Sequence, residues 1–357
     1  MALPRKHAAA RDRIRRLCYA GLSSHDLRLA VLRELGDVTP IAGAFFPTVD
    51  PATLFYTSAV VHGMAADDTA RYLDNELLAE DVNKFRDLAR SHTATATLDV
   101  ATRGHWATSA RSREIMRPGG HGDELRAAFR TGRSTWGVLC LHRSADAPVF
   151  TGPDVELVAA VGPDVGEALR RALLVSTATV HPADEGPGVL TVAADLTVTA
   201  ATPAGARWLA ELAEADADTT VPLPLAVQHV VRSLHALGTP SGLTPRLTAT
   251  TPSGRWLTLH ASHLAHKDAD GDVAVVIEPA TPPALQPVLA AAYALSDREA
   301  QVFARVLRGL PTKTIAADLR ISAHTVNDHL KAIFTKAGVS TRGELMAAAF
   351  HTNSSTR

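Results

Sequence analysis

The sequence predicts an α+β protein in which two domains of mixed sheet and helix precede an all-α domain of four helices. The chain has 357 residues, which is too long for one typical domain. Up to about residue 280, runs with strand-like alternation are mixed with runs of helical spacing. From residue 295 onward the apolar runs have helical spacing, and most follow a capping signal. We therefore place domains at 1–178, 184–280 and 295–357, with a proline-rich linker at 281–294.

The composition indicates a globular chain with basic ends. Hydrophobic residues make up 46% and charged residues 20%, outside the range of disordered proteins. The net charge is −1, yet residues 1–16 carry +5 and residues 296–351 carry +3, which suggests contact with a polyanion. Two cysteines are too few for a disulfide framework. Because the sequence lacks a signal-peptide core and a long apolar segment, we expect a soluble, cytoplasmic protein.

The first domain begins with helical spacing and continues with two strands, "IAGAFFPTV" and "TLFYTSAVV". In "ELRAAFR", Leu125, Ala127 and Phe129 face away from the alternating arginines. The turn "TGRS" and the apolar run "TWGVLCLH" follow and predict a hairpin. Thr151 starts a long helix, which we expect Pro163 to kink rather than end.

The second domain also combines short strands and helices. "VLTVAADLTVTAA" predicts two strands that turn at Asp195, and helices are predicted in "PAGARWLAEL" and "AVQHVVRSLHAL". Two further strands in "RLTATTPSGRWLTLHAS" turn at Ser253 and Gly254, and "DVAVVIEP" predicts the last strand. Hairpin connections between such elements are typical of α+β domains.

Capping signals delimit four helices in the third domain. Capping boxes, S-x-x-E at Ser296 and T-x-x-E at Thr341, open the first and last helices, and Gly309 ends the first. A short second helix follows. Ser322 then caps a third helix that ends at Gly338.

The second and third of these helices form a helix-turn-helix pattern, because only two residues separate them. The third helix carries an apolar stripe of Val326, Leu330, Ile333 and Ala337 opposite a long polar face. A slim helix with short donors and acceptors fits the DNA major groove. From the pattern alone, a four-helix bundle with a solvated polar face is the alternative.

The segment "LSDREAQVFARVLRGLPTKTIAADLRISAHTVNDHLKAIFTKAGVSTRGEL" resembles the LuxR/GerE-type DNA-binding domain. It shares the "RE" of the first helix, G-L-x-x-K-x-I-A, S-x-x-T-V-x-x-H-L and K-x-G-V-x-x-R-x-E-L. The resemblance covers about one sixth of the chain. It departs from the family at Pro311, where a capping Ser is usual, and at Thr314, where Glu is usual.

This resemblance implies DNA-binding roles for seven residues. Asn327, Asp328 and Lys331 occupy base-facing positions. His324 is added as an eighth because it shares their polar face. Phosphate contacts are expected from Lys313, Ser322, Thr325 and Lys336. Asp328 is interpreted as an acceptor for a cytosine amino group or, alternatively, as a partner that orients Lys331.

The first two domains resemble sensor domains. "WGVLCLHR" followed by "FTGPDVELVAAV" resembles a GAF domain, and "GVLTVAADLTVTAATPAGARWL" resembles a PAS domain with Thr202 in place of the usual Asn. These resemblances imply two pockets in which a small molecule could bind. The residues that would bind a ligand or cofactor stay unknown from the sequence.

Signals for catalysis are weak. His260, His263 and His266 could suggest a metal site, but a three-residue spacing on a strand places the first two on opposite faces. The chain contains no glycine-rich loop that ends in Gly-Lys, and the four tryptophans are interpreted as core anchors. We therefore predict a protein that is not an enzyme.

Together these features predict a sequence-specific transcriptional regulator that binds double-stranded DNA as a homodimer. The alternative is a ligand- or cofactor-binding sensor or interaction protein, in which the GAF-like and PAS-like pockets are the main functional sites. A metal-dependent hydrolase is a more remote alternative.

Overall fold

The computed structural model describes residues 3–176, 186–214, 223–237, 244–264 and 272–350. His266, one of the three histidines considered for metal binding, lies outside these residues. The described chain contains two five-stranded antiparallel sheets, each with helices, followed by a set of C-terminal helices. The α+β fold class is therefore confirmed.

The first body contains a sheet with strand order β2-β1-β5-β4-β3. Its strands are β1 (Gly43–Val49), β2 (Tyr56–His62), β3 (Thr95–Thr97), β4 (His121–Thr131) and β5 (Ser134–Ser144). Its α-helices are α1 (Arg5–Cys18), α2 (Ser24–Gly36), α3 (Ala66–Leu77), α4 (Phe85–Leu88), α5 (Leu98–Thr102) and α6 (Gly152–Ser176). The predicted hairpin is β4–β5, and α6 continues through Pro163 as predicted.

Both faces of this first sheet are buried, one in an apolar core and the other among charged and aromatic side chains. Leu125, Ala127 and Phe129 belong to the apolar core that the sheet shares with α1, α2 and α6. On the opposite face, Arg126 is only 3% exposed. It forms a 3.0 Å ion pair with Glu76 and lies over the ring of Phe85. The alternation predicted from the sequence is confirmed, whereas the burial of the arginine face was not predicted.

The second body contains a sheet with strand order β7-β6-β10-β9-β8. Its strands are β6 (Gly188–Val192), β7 (Val198–Ala201), β8 (Arg246–Thr250), β9 (Trp256–His263) and β10 (Val273–Pro279). Helices α7 (Pro203–Glu214) and α8 (Leu225–Leu237) complete it. Counted from the first strand of each body, the two sheets have the same order, 2-1-5-4-3.

The C-terminal helices are α9 (Pro282–Ala292), α10 (Asp297–Leu307), α11 (Thr312–Leu319), α12 (Ala323–Ala337) and α13 (Arg342–Phe350). The segment 281–294, predicted as a linker, therefore contains a helix. Leu285 and Val288 of α9 are buried in one core with Phe303 and Val306 of α10. Two prolines at the helix start are tolerated there because the first turn does not need their backbone N–H groups.

Specific bonds connect the first two bodies. The backbone N–H of Tyr56 donates to Nδ1 of His229 on α8 at 2.9 Å. The backbone N–H of Thr248 donates to the buried carboxylate of Asp50 at 3.1 Å. Within the described residues, none of the helices is long and apolar enough to cross a membrane.

Candidate DNA-binding interface

The turn between α11 and α12 positions the candidate recognition helix. Arg320 ends α11 in the left-handed conformation, with φ 55°, and the Ile321 N–H donates to the carbonyl of Ala316. The Ser322 side chain then caps α12 by accepting from the Thr325 N–H at 3.0 Å. At the other end, Gly338 adopts a left-handed conformation with φ 69°. Both ends of α12 are therefore where the sequence predicts them.

The buried face of α12 matches the predicted stripe. Val326 and Ile333 are fully buried and Leu330 is 7% exposed, while Ala337 is partly buried at the edge of the same core. These side chains pack against apolar residues of α10 and α13. This packing fixes the orientation of α12 about its own axis, so that the opposite face is exposed.

The exposed face of α12 carries His324, Asn327, Asp328 and Lys331. The Asp328 carboxylate lies 3.6 Å from Nε2 of His324 and 3.7 Å from Nζ of Lys331. Side-chain exposures are 84% for His324, 54% for Asp328 and 76% for Lys331. Exposed ion pairs of this kind contribute little to stability, so these groups can exchange their partners at low cost.

Three of the four residues predicted to contact phosphate lie at helix N-termini. Lys313 is exposed in the first turn of α11, after Pro311, which makes no side-chain capping bond. Ser322 and Thr325 lie at the start of α12, with their hydroxyl oxygens 2.9 Å apart. Helix N-termini attract anions through their free N–H groups and the helix dipole.

Lys336, the fourth, lies in a different environment. Its Nζ is 2.6 Å from the Glu299 carboxylate and 3.2 Å from the carbonyl of Ala294. Glu299 also closes the predicted capping box by accepting from the Ser296 N–H at 2.7 Å. Burial alone would raise the pKa of Glu299, but the bonds from Lys336 and Ser296 lower it. Lys336 therefore connects α12 to the start of α10, which the sequence did not indicate.

One buried cluster has ligand atoms suited to a metal. Glu124, Cys140 and His142 place their ligand atoms within 4.8 Å of one another. However, the Glu124 carboxylate already accepts from Arg111 at 2.7 and 3.0 Å, and Nε of Arg126 is 3.8 Å away. A cation would have to share this carboxylate with two buried guanidinium groups, so the cluster fits a structural ion network better than a metal centre.

Sequence reasoning missed a cavity between the first two bodies and α9. Its volume is about 710 Å³, within the range of small-molecule sites. Its walls come from α1, α2, β1, β2, β5, α6, the β8–β9 hairpin and α9. By contrast, a cavity within the first body beside Tyr72 and Cys140 measures about 10 Å³, roughly the room of one water molecule. Trp136 and Trp256, interpreted as core anchors, are buried but also line the larger cavity.

A comparison with protein families agrees with the C-terminal geometry. Residues 293–349 match the family GerE, "Bacterial regulatory proteins, luxR family". No curated protein matches the chain. A solved structure of the Vibrio cholera VqmA–ligand–DNA complex is 16% identical, with 48% of this chain and 84% of that chain covered. Its TM-score of 0.22 is too low to compare the two folds.

Proposed function

We propose that this chain, which carries a LuxR-type helix-turn-helix domain at residues 293–349, is a DNA-binding transcriptional regulator and not an enzyme. The observation that carries the proposal is the exposed polar face of α12, held outward by a buried apolar stripe on a domain of matching family. A helix of this diameter fits the major groove. The net charge of +3 over residues 296–351 favours the approach of a polyanion.

We assign base contacts to Asn327, Asp328 and Lys331, with His324 beside them. Asn can pair with adenine N6 and N7, and Lys can donate to guanine O6 and N7. Lys313, Ser322 and Thr325 are assigned to phosphates because they lie at helix N-termini. Lys336 can add a phosphate contact while it keeps Glu299, since its ammonium group has three donors.

We further propose that the protein acts as a homodimer. One recognition helix contacts few base pairs, and dimers of such domains bind half-sites about 34–36 Å apart. The first two bodies are proposed as GAF-like and PAS-like sensor domains. Their support is that each has a five-stranded antiparallel sheet with flanking helices and the same strand order.

The test is selection of bound sequences from a random double-stranded DNA library with the full chain. We expect a two-fold symmetric sequence to be enriched. The double variant Asn327→Ala, Lys331→Ala should lose the enrichment. A matched control is Arg308→Ala, which removes a positive charge at the end of α10, outside α12. Equal enrichment by the double variant and the control would refute the assignment of α12, and no enrichment by the unmodified chain would refute the function.

A further inference from the structure

We propose that the outer face of α1 is a second DNA-binding surface, which contacts phosphates of duplex DNA beside the half-site assigned to α12. The identity of the partner rests on the proposed function. The surface consists of Arg5, Lys6 and Arg16, three exposed cations of the N-terminal helix. They lie outside the helix-turn-helix domain at residues 293–349.

The packing of α1 determines which of its side chains face water. Ala10 and Ile14 are fully buried and Cys18 is 4% exposed, and all three lie in the core that the first sheet shares with α2 and α6. Their four-residue spacing places them on one side of the helix. Arg5 and Arg16 therefore extend from the opposite side, where a partner can reach them.

The six lysines and arginines of α1 divide into two equal sets. Three are neutralised by nearby carboxylates, in the pairs Arg11–Asp12, Arg13–Glu34 and Arg15–Asp164. The other three, Arg5, Lys6 and Arg16, have no ion-pair partner among the residues that the structure describes. Six cations minus three carboxylates leave a net charge of +3 on the helix and its partners. This charge is complementary to a phosphate backbone.

Two of the unpaired cations are placed where they weaken their own helix. Arg5 and Lys6 lie in the first turn of α1, at the positive end of the helix dipole, where cations are disfavoured. The first turn contains no acidic residue, and the N-cap residue Pro4 makes no side-chain capping bond. An anionic partner would remove this unfavourable interaction, which no carboxylate of the described chain does.

α1 lies on the same side of the first sheet as the C-terminal helices. Ala292 of α9 belongs to the core on this side, whereas α3 and α4 pack on the other side. Consecutive arginines of α6 join the ends of α1 and α9. Arg171 donates to the carbonyl of Cys18 at 2.8 Å, and Arg170 donates to the carbonyl of Ala292.

The end of α9 is also joined to the candidate recognition helix, because Lys336 of α12 donates to the carbonyl of Ala294 at 3.2 Å. α1 and α12 are thus held to the same end of α9. With 14 residues, α1 is about 21 Å long, which corresponds to about six phosphates along one DNA strand. Contact by α1 therefore requires a duplex that continues past the half-site. Such phosphate contacts add affinity and carry no sequence information.

The test compares the unmodified full chain with the triple variant Arg5→Ala, Lys6→Ala, Arg16→Ala on a duplex selected by the unmodified chain. DNA affinity is measured from about 50 to 200 mM salt. Each phosphate contact contributes about 0.9 to the slope of log affinity against log salt concentration, so the triple variant should lower the slope by up to about 2.7 per subunit. Since the three side chains are exposed and unpaired, the variant should fold normally.

The matched control is Arg90→Ala, Arg103→Ala, Arg117→Ala. It removes the same charge from exposed residues beside α4, α5 and the segment before β4, on the other side of the sheet. The control should keep the slope of the unmodified chain. Both proteins should also bind more tightly when the duplex is extended by about one helical turn, roughly 34 Å, beyond each half-site. The triple variant should bind the trimmed and extended duplexes equally.

Equal slopes for the triple variant and the control would overturn the α1 contact and leave the function of α12 standing. Absence of DNA binding by the unmodified chain would overturn the proposed function, and the α1 contact with it. Vesicles that contain phosphatidylserine provide a last comparison. If the slopes are equal and only the triple variant loses vesicle binding, the surface contacts an anionic membrane and the DNA contact is refuted.

Discussion

Two carboxylates in this molecule each lie among basic side chains, and they differ in almost every other respect. Glu124, in the first body, is fully buried between Arg111 and Arg126. Asp328, on α12, lies between His324 and Lys331 with 54% of its side chain exposed. The buried carboxylate accepts bonds of 2.7 and 3.0 Å from Arg111, whereas both contacts of the exposed one exceed 3.5 Å.

The difference shows that burial, rather than residue type, decides what a charge cluster does. Burial opposes ionisation of Glu124, but the two guanidinium groups more than offset this and hold its pKa at about 2. Glu124 is thus ionised at neutral pH, and the cluster depends on all of its members. Around Asp328, water screens the charges and competes for them, so the groups are free to exchange partners with DNA.

Removing the charge of each carboxylate tests most directly whether burial decides its contribution to stability. Glu124→Gln keeps the size of the side chain but leaves Arg111 and Arg126 with one fewer buried counter-charge. We expect the free energy of unfolding of the first body to fall by about 3–5 kcal/mol. The measurement is denaturant unfolding of the full chain, followed by circular dichroism.

Asp328→Asn is the matched control for this experiment. Because Asp328 is exposed, we expect its substitution to change the free energy of unfolding by no more than about 0.5 kcal/mol. Similar losses in the two variants would show that burial does not distinguish the clusters.

The sequence predicts the parts of the fold that depend on local signals and misses those that depend on tertiary contacts. Hydrophobic periodicity and caps predict the elements because they are local: Ser322 and Gly338 mark the ends of α12, and "TGRS" marks the β4–β5 turn. The helix at Pro282–Ala292 was missed because its prolines suggested a linker, while its apolar residues find their core only in the tertiary structure. The shared strand order of the two sheets was also missed, since it does not require a repeat in the sequence.

The candidate sites also include features that follow from a local pattern and features formed by residues far apart in the sequence. The polar face of α12 follows from its buried stripe and was predicted residue by residue. The bond from Lys336 to Glu299 joins residues 37 positions apart, and no local pattern encodes it. The cavity is less predictable still, because Trp136 and Trp256 come from different bodies and look like core residues in the sequence.

The second prediction concerns another buried titratable group, the histidine His229. Burial lowers the pKa of His229 to about 3, and its Nδ1 must be unprotonated to accept from the Tyr56 N–H. Between pH 6.5 and 3 the unfolded chain therefore binds a proton that the folded chain does not, so stability falls as the pH falls. The loss is about 1.4 kcal/mol per pH unit, or about 2.7 kcal/mol from pH 6.5 to 4.5.

His229→Asn keeps an acceptor beside Tyr56 and removes the titration. Unfolding is measured at pH 7.5 and 4.5, and the loss of stability between them should be about 2.7 kcal/mol smaller in the variant. His142, whose pKa burial also lowers to about 3, continues to titrate in both proteins. An identical loss in the two proteins would mean that His229 is not buried as described.

The third prediction concerns an arginine with a role unlike that of Arg111 and Arg126. Arg320 is exposed and adopts a left-handed conformation that favours glycine. Arg320→Gly should raise the free energy of unfolding by up to about 1 kcal/mol, since relief of strain exceeds the added freedom of the unfolded chain. Thermal unfolding checks this, and a lowered stability would show that the Arg320 side chain contributes more than its backbone strain costs.

The smallest effect on unfolding, and the most informative for function, is expected for Asp328→Ala. Phosphates repel a carboxylate, so Asp328 would weaken binding if the polar face of α12 contacted only the DNA backbone. In the major groove a carboxylate can accept from the cytosine amino group and disfavour the acceptors of guanine. The 3.7 Å approach to Lys331 also allows Asp328 to orient that ammonium group toward a base.

Both roles predict that Asp328→Ala keeps or raises nonspecific affinity, but they differ in which preference is lost. If Asp328 reads a base, only one base pair per half-site should lose its preference, and Lys331→Ala should lose a different one. If Asp328 orients Lys331, the two variants should lose preference at the same base pair. Binding to a library of half-site variants measures this directly. An unchanged preference in Asp328→Ala would show that the exposed carboxylate neither reads a base nor orients Lys331.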